Sequence, residues 1–202
     1  MPARLVCLVS GSGTIAQALV DACADPSYGA EVVAFGADRT KLEAFERARR
    51  HGIPTFSERV PDHPTREAWD VALTEAVARF SPDLVVLAGF MKLNGPAFLA
   101  RFGGRVVNTH PALLPSFPGM HGASDALAYG VKVSGATLFF VDEGVDSGPI
   151  IAQSAVPVRD DDTVESLHER IKVAERSLVV DGVGRLVRNG FQIVGRKVVI
   201  GS

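Results

Sequence analysis

Apolar runs and amphipathic stretches alternate along the first half of the chain. Strand-like runs, in which apolar residues follow one another, cover residues 4–10, 31–36, 53–57 and 83–89. Helix-like stretches, with helical spacing or helix-prone charged residues, cover residues 14–24, 41–51 and 65–80. Strands joined by helices run parallel and are covered on both faces. The alternation therefore predicts an α/β fold with an open, doubly wound, mostly parallel sheet.

The second half of the chain has a less regular pattern. Two strands are expected within residues 135–144 and 149–158, joined by a short acidic turn. A helix over residues 163–189 and a hairpin within residues 191–201 follow. No repeat, low-complexity segment or linker interrupts the sequence. We therefore expect one domain over residues 1–202, with an irregular C-terminal half.

Charge and apolar content argue against some classes of binding partner, and the cysteines indicate the redox state of the protein. The net formal charge of −2 offers no basic field for nucleic acid or an anionic membrane surface. No apolar stretch is long enough to span a bilayer. Cys7 and Cys23 have no metal-binding or redox spacing, which indicates a reduced protein. These features favour a cytoplasmic protein that acts on small molecules.

A glycine-rich turn, "VSGSGTIAQAL", joins the first predicted strand to the first helix. Glycine permits a sharp turn and a close ligand approach, and a helix N-terminus offers free N–H groups that suit a phosphate. The turn has neither the full dinucleotide-binding pattern nor the lysine of a P-loop. A plain tight turn between strand and helix is the alternative interpretation.

The stretch "VVNTHPALLP" ends a buried strand in polar side chains. Asn108 and His110 are two residues apart on extended chain and so share a face. Pro111 keeps His110 extended. Ligands of open α/β sheets bind beyond the carboxyl ends of strands, where an amide can stabilise an oxyanion and an imidazole can exchange a proton. Alternatively, Asn108 caps the strand end and His110 bonds to the backbone.

The turn "VDEGVDSGPI" offers three carboxylates, Asp142, Glu143 and Asp146, any of which could pair with an imidazole. Spacing alone does not choose among them, and a solvated turn is the alternative. Among the other histidines only His121 is a candidate site residue. The remainder are expected to be structural or at the surface: His51, His63 and His168.

These segments together resemble the phosphoribosylglycinamide formyltransferase family, folate-dependent enzymes of de novo purine biosynthesis. The similarity extends in order from about Leu5 to Glu175 through "VSGSGTIAQALVDA", "VVNTHPALLPSFPGMHGASDAL" and "GATLFFVDEGVDSGPII". It implies a Rossmann-like formyltransferase fold. It also implies transfer of the formyl group of 10-formyltetrahydrofolate to the amine of 5'-phosphoribosylglycinamide, without a metal, by a monomer or homodimer.

The resemblance also implies a role for each matching residue. The catalytic set is Asn108, His110 and Asp146. The ribonucleotide would be bound by Gly11, Ser12, Gly13, Thr14, Ile15 and Glu175. The formyl-folate would be bound by Arg66, Met91, Lys92, Leu93, Asn94 and Asn108.

Three positions depart from the family pattern. Relatives commonly carry asparagine where this chain has Ile15, often histidine at Phe139, and a polar histidine or basic residue near Ala123. Because the catalytic set is intact, these departures bear on affinity more than on chemistry. There are three competing interpretations: a formyltetrahydrofolate hydrolase, a methionyl-tRNA formyltransferase-like enzyme and a non-catalytic nucleotide-binding module. The lack of a basic run after Thr163 disfavours the tRNA enzyme.

Overall fold

The computed structural model describes residues 1–201, which cluster into two compact units. The first unit extends from Met1 to Val107, and the second begins at Asn108. Strand β5 (Val106–His110) contains this boundary. The expectation of one domain over residues 1–202 stays a prediction.

The first unit is an alternating α/β structure with four parallel strands in the order β3-β2-β1-β4. Its strands are β1 (Ala3–Val9), β2 (Ala30–Ala37), β3 (Thr55–Ser57) and β4 (Leu84–Leu87). Its helices are α1 (Thr14–Cys23), α2 (Glu43–Arg50), α3 (Arg66–Ala78) and α4 (Pro96–Phe102). Every strand and helix predicted for this half is present, within a few residues of its expected bounds.

The core of this unit follows from the apolar pattern. Leu5 to Val9 of β1 are fully buried, as a strand covered on both faces requires. Helix α3 buries Trp69, Leu73 and Val77, whose spacing places them on one face of the helix. Because β1, β2 and β4 run parallel, their carboxyl ends lie at one edge of the sheet, where such folds bind ligands.

Helix α4 was not predicted from the sequence. It has seven residues, and its buried apolar positions are only Phe98 and Phe102, too few for a recognisable period. Its first turn is held by the buried Asp70 carboxylate, which accepts the N–H groups of Gly95, Ala97 and Phe98 at 2.8, 2.8 and 3.3 Å. A side chain from another helix therefore determines where α4 begins.

The second unit is mixed. Its elements after β5 are α5 (Gly122–Tyr129), β6 (Val133–Phe140), β7 (Ile150–Pro157), α6 (Val164–Asn189), β8 (Phe191–Val194) and β9 (Lys197–Ile200). Strand β6 pairs antiparallel with β7, and β8 pairs antiparallel with β9. The predicted strand pair, long helix and terminal hairpin are confirmed. Helix α5 was missed because small residues form its buried face, Gly122, Ala123 and Ala126.

Helix α6 packs closely on β6. A Cβ on Gly182 would lie 2.2 Å from Leu138 Cδ2, so glycine at this point permits the close approach of helix and strand. Phe139, one of the departures from the family pattern, is 2% exposed, and the Ala123 side chain is also buried. Both positions therefore carry apolar groups in packed surroundings.

Candidate active site

His110 is held between two partners at the end of β5. The ring is 3% exposed. Nε2 lies 2.6 Å from the carbonyl oxygen of Phe117, and Nδ1 lies 3.4 Å from Oδ2 of Asp146. A carbonyl oxygen only accepts, so Nε2 carries a hydrogen. A carboxylate also only accepts, so a proton on Nδ1 faces a matching partner. Each ring nitrogen therefore faces an oxygen that can accept a hydrogen bond.

Asp146 is the acidic-turn residue that reaches the histidine. Its Oδ2 also accepts the Gly119 N–H at 2.8 Å, and its backbone is left-handed, with φ at 51°. Asp142 instead accepts the Ser147 hydroxyl at 2.7 Å and the Gly144 N–H at 3.0 Å within its own turn. The geometry thus distinguishes between carboxylates that spacing left equivalent.

Asn108 lies two residues before the histidine on the same strand. Its side chain is half-buried, and Oδ1 accepts the N–H of Thr109 at 2.9 Å. This bond orients the amide and leaves Nδ2 as its donor end. An amide donor and an imidazolium on one strand face are the groups that stabilise an oxyanion.

Glu175 of α6 lies at the same strand end. It is 7% exposed, and burial raises the pKa of its carboxyl. A hydrogen bond with the Thr109 side chain and the charges of His168, His110 and Arg176 oppose that rise in pKa. The second unit therefore brings Glu175 together with the strand that carries Asn108 and His110.

Two glycines of the glycine-rich turn have different surroundings: the backbone conformation requires glycine at one position, and the other has open space around its Cα. Gly13 is the N-cap of α1 with φ at 72°, and a Cβ there would lie 2.5 Å from the Cβ of Ala44. At Gly11 an added Cβ would meet nothing within 4 Å. Gly13 is therefore needed for the fold, whereas Gly11 leaves room beside the backbone.

The first turn of α1 can accept an anion. It contains no acidic side chain, and its leading N–H groups have no partner within the helix. Thr14 is the first residue of the helix, and Ile15 follows it, half-buried and without a side-chain donor. The carbonyl oxygen of Ser12 accepts a hydrogen bond from Arg47 Nε at 2.9 Å. The turn is thus held in place while its N–H groups stay available.

The predicted folate-binding residues other than Asn108 lie near one another in the first unit. The Arg66 guanidinium donates to the Leu93 carbonyl and stacks over Trp69 at 4.0 Å from the ring centroid. Met91 and Leu93 are exposed, at 59% and 65%. Both amide atoms of Asn94 are buried without a hydrogen-bond partner, which is unusual for a folded protein.

Sequence reasoning missed a buried pair next to this segment. Ser10 Oγ accepts the Met91 N–H at 2.9 Å and also hydrogen-bonds to Asp38. Asp38 is buried and lies 3.7 Å from Lys92 Nζ. Burial opposes the ionisation of Asp38, but hydrogen bonds from Arg39 and Ser10 lower its pKa overall. Both residues directly follow buried strands, the same signal that identified Asn108 and His110.

Apart from the charge of His168 near Glu175, the other histidines take no part in this arrangement. His121 is exposed at the N-cap of α5 and makes no capping bond, so nothing in the geometry supports it as a site residue. His63 pairs with Glu58 at 3.1 Å, His51 lies 3.1 Å from Gln17, and His168 is exposed.

Within residues 1–201, no cluster of three or more His, Cys, Asp or Glu side chains has a metal-binding arrangement. None of the helices in that range is long and apolar enough to cross a membrane.

The sequence matches the formyl transferase family over residues 3–183, and the chain belongs to that family. Within it, the chain is 56% identical over 200 residues to phosphoribosylglycinamide formyltransferase of Mycobacterium tuberculosis (strain ATCC 25618 / H37Rv). That alignment covers 99% of this chain and 92% of the relative.

A second relative is the trifunctional purine biosynthetic protein adenosine-3 of Homo sapiens, 40% identical over 93% of this chain and 19% of that protein. Among solved structures, glycinamide ribonucleotide transformylase 1 from Symbiobacterium toebii superposes with a TM-score of 0.96 at 41% identity. The match covers 100% of this chain and 95% of that one. The predicted fold class and the resemblance stated from the sequence are thereby confirmed.

Proposed function

We propose that the chain transfers the formyl group of 10-formyltetrahydrofolate to the primary amine of 5'-phosphoribosylglycinamide. Relatives that bear the name of this activity cover nearly the whole chain, which supports this function over the hydrolase, the tRNA formyltransferase and the non-catalytic module. The single observation that carries the proposal is the buried His110 imidazole, held by the Asp146 carboxylate and the Phe117 carbonyl beside Asn108.

The chemistry is acyl transfer. The ribonucleotide amine attacks the formyl carbon, and a new C–N bond forms as the carbonyl oxygen takes up negative charge. The Nδ2 of Asn108 and protonated His110 stabilise that oxyanion, which takes the place of the Phe117 carbonyl as acceptor for Nε2. Asp146 holds the ring and balances its positive charge.

Collapse of the tetrahedral intermediate completes the reaction. The carbonyl re-forms, the bond from the formyl carbon to the folate nitrogen breaks, and that nitrogen leaves. One proton passes from the attacking amine to the leaving nitrogen, through a water bound to Asp146. No residue becomes covalently attached.

Binding roles follow from the two clusters in the first unit and from Glu175. The phosphate of the ribonucleotide docks on the N–H groups between Gly11 and Ile15, and Glu175 contacts the same substrate. The formyl-folate contacts Arg66, the segment 91–94 and Asn108. The hydrogen bond from the Arg66 guanidinium to the Leu93 carbonyl supports this assignment, because it joins two parts of the proposed folate site.

One assay tests the proposal. Release of tetrahydrofolate from 10-formyltetrahydrofolate is followed by absorbance, with and without the ribonucleotide. We expect release only when the ribonucleotide is present, together with formation of the formylated product. Equal release without the ribonucleotide would identify a hydrolase, and binding of both compounds without turnover would identify a binding module.

A further inference from the structure

Arg47 connects helix α2 to the glycine-rich turn. Its Nε donates to the carbonyl oxygen of Ser12 at 2.9 Å, and its Nη2 pairs with the Glu43 carboxylate about one turn earlier on the same helix. The Arg47 side chain is 24% exposed, whereas that of Glu43 is 60% exposed. The guanidinium is thus held between a carboxylate of its own helix and a main-chain carbonyl of another segment.

A second contact joins α2 to the same turn. A Cβ on Gly13 would lie 2.5 Å from the Cβ of the fully buried Ala44, so the Gly13 backbone packs directly on the first turn of α2. The first hydrogen bond of α1 uses the Gly13 carbonyl, which accepts the Gln17 N–H at 2.9 Å. The Ser12 carbonyl lies one residue earlier, outside the helix, where Arg47 donates to it. Helix α2 therefore contacts two consecutive residues of the turn.

The bond to the Ser12 carbonyl determines the direction of the next N–H group. The Ser12–Gly13 peptide is trans, and in a planar trans peptide the C=O and N–H groups point in opposite directions. Because the Ser12 carbonyl points toward the Arg47 guanidinium, the Gly13 N–H points away from it. That N–H is the first donor at the start of α1, where the ribonucleotide phosphate is proposed to dock.

We propose that Arg47 is a positioning residue for the ribonucleotide phosphate. It holds the Ser12–Gly13 peptide in the orientation in which the Gly13 N–H donates to the phosphate, and Glu43 holds the guanidinium in turn. The presence of the phosphate at this turn rests on the proposed function, whereas the contacts of Arg47 do not. A donor that is oriented before binding loses less conformational entropy when the anion binds.

Arg47 should matter more for phosphate binding than for folding. Exposed ion pairs contribute little to the free energy of unfolding, and Glu43 is largely exposed. Arg47→Met removes the charge and the N–H donors but keeps a long apolar side chain of high helix propensity. The urea midpoint of unfolding should therefore change little, while the Ser12–Gly13 peptide loses the bond that fixes its orientation.

The binding test compares 5'-phosphoribosylglycinamide with the same compound lacking its 5'-phosphate. Affinities are measured by NMR titration of the full-length ¹⁵N-labelled protein in the absence of folate. We expect Arg47→Met to weaken the phosphorylated compound at least about tenfold, because the turn loses a charge-assisted hydrogen bond, and to leave the unphosphorylated compound within about twofold. Equal weakening of both compounds, or of neither, would overturn the proposal.

Two further variants separate the hydrogen bond from the charge. Arg47→Lys keeps the charge and a donor for the Ser12 carbonyl, and it should weaken the phosphorylated compound no more than about threefold. Arg50→Met removes an arginine from an exposed position of α2 and should have no effect. A loss in Arg47→Lys as large as that in Arg47→Met would contradict the role of the hydrogen bond. An equal loss in Arg50→Met would show instead that the positive charge of α2 attracts the phosphate without orienting the turn.

The Gly13 amide gives a direct readout of the orientation. Saturating 5'-phosphoribosylglycinamide should shift the ¹H resonance of this amide downfield in the wild-type protein, and Arg47→Met should reduce the shift even at saturation. An unshifted Gly13 resonance in the wild type would overturn the proposal.

The same measurements distinguish this role from the proposed function. If the preference for the phosphorylated compound and the Gly13 shift are present but no formylated product forms, the role of Arg47 stands and the proposed function fails. Formation of the product without any preference for the phosphorylated compound would leave the function in place and overturn the role of Arg47.

Discussion

The position of His110 depends on a residue that the sequence pattern did not identify. Phe117 contributes a main-chain carbonyl, and any residue type carries that group, so no side-chain signal marks it. Its left-handed backbone, with φ at 54°, turns the chain at this point, as does Asp146 with φ at 51°. Side-chain chemistry marks the histidine and the carboxylates in the sequence, whereas the main-chain acceptor is visible only in the folded structure.

Gly11→Val tests the phosphate-binding role of the glycine-rich turn. The added side chain starts in open space, so the fold should be unaffected, while the ribonucleotide phosphate loses access to the backbone. We expect a rise of at least about tenfold in KM for the ribonucleotide and an unchanged KM for the folate. Gly11→Ala is the smaller control. Equal increases in both KM values would show that the turn serves the fold alone.

Glu175→Gln tests the buried carboxyl. The folded protein raises the pKa of Glu175 above its ordinary value of 4.5, so the folded state holds the proton more tightly than the unfolded state. The free energy of unfolding of the wild-type protein should therefore fall as pH rises from about 4.5 through the pKa of Glu175 in the folded state. The Glu175→Gln variant has no carboxyl to ionise at this position, so it should not show that fall. In urea unfolding between pH 4 and 8, the free energy of unfolding of the variant should increase relative to that of the wild type as pH rises. A difference that is constant or shrinks would contradict the burial argument.

The connections between elements hold the binding residues in place. Asp70 of α3 fixes the start of α4, and the Ser10–Asp38 pair fixes the backbone at Met91, so the 91–98 segment is tied at both ends. Asn94, with its unpaired amide, lies between these two ties. Because the segment is already ordered, ligand binding to it loses less conformational entropy.

Asp70→Ala should destabilise the first unit. It leaves three N–H groups at the start of α4 without their charged acceptor, and we expect a loss of about 2 to 4 kcal/mol in the free energy of unfolding. Asp70→Asn keeps an acceptor oxygen and should lose less. Chemical denaturation measures both, and a loss below about 0.5 kcal/mol in Asp70→Ala would show that α4 is held by packing instead.

Ser10→Ala should act on the folate and spare the other substrate. The Met91 N–H and the Asp38 carboxylate each lose a partner, which loosens the segment proposed to bind the folate. KM for 10-formyltetrahydrofolate should rise several-fold, with KM for the ribonucleotide nearly unchanged. Ser177→Ala, at an exposed position of α6, is the control. An effect confined to the ribonucleotide would contradict the assignment of segment 91–94.

Much of the fold was predictable because long apolar strands and amphipathic helices leave a periodic signal. Residues 83–89 and 163–189 are examples, and each predicted element is present. Helices α4 and α5 were not predictable, because the first is short and the second buries small residues. Asn108 and His110 stood out as polar groups at a strand end. Spacing did not choose among the acidic-turn carboxylates, the family resemblance indicated Asp146, and the structure has Asp146 rather than Asp142 beside His110.

The residues assigned to substrate binding and to the reaction are distributed over both units of the chain. The phosphate-binding turn, Arg66 and the segment 91–94 lie in the first unit, whereas Asn108, His110, Asp146 and Glu175 lie in the second. A two-substrate transfer needs residues that hold each substrate and residues that act on the formyl group. Substitutions in the first unit should therefore alter KM, and substitutions of the reacting groups should alter kcat.

The most direct test compares kcat for formyl transfer in Asp146→Asn and Asp142→Asn. Asn at position 146 still accepts the Gly119 N–H but lacks the charge opposite His110, so we expect kcat to fall at least about a hundredfold with folding intact by circular dichroism. Asp142→Asn changes the same acidic turn without contacting His110 and should retain kcat within about threefold of wild type. Near-normal turnover in Asp146→Asn, or a larger loss in Asp142→Asn, would contradict the assignment of the catalytic carboxylate.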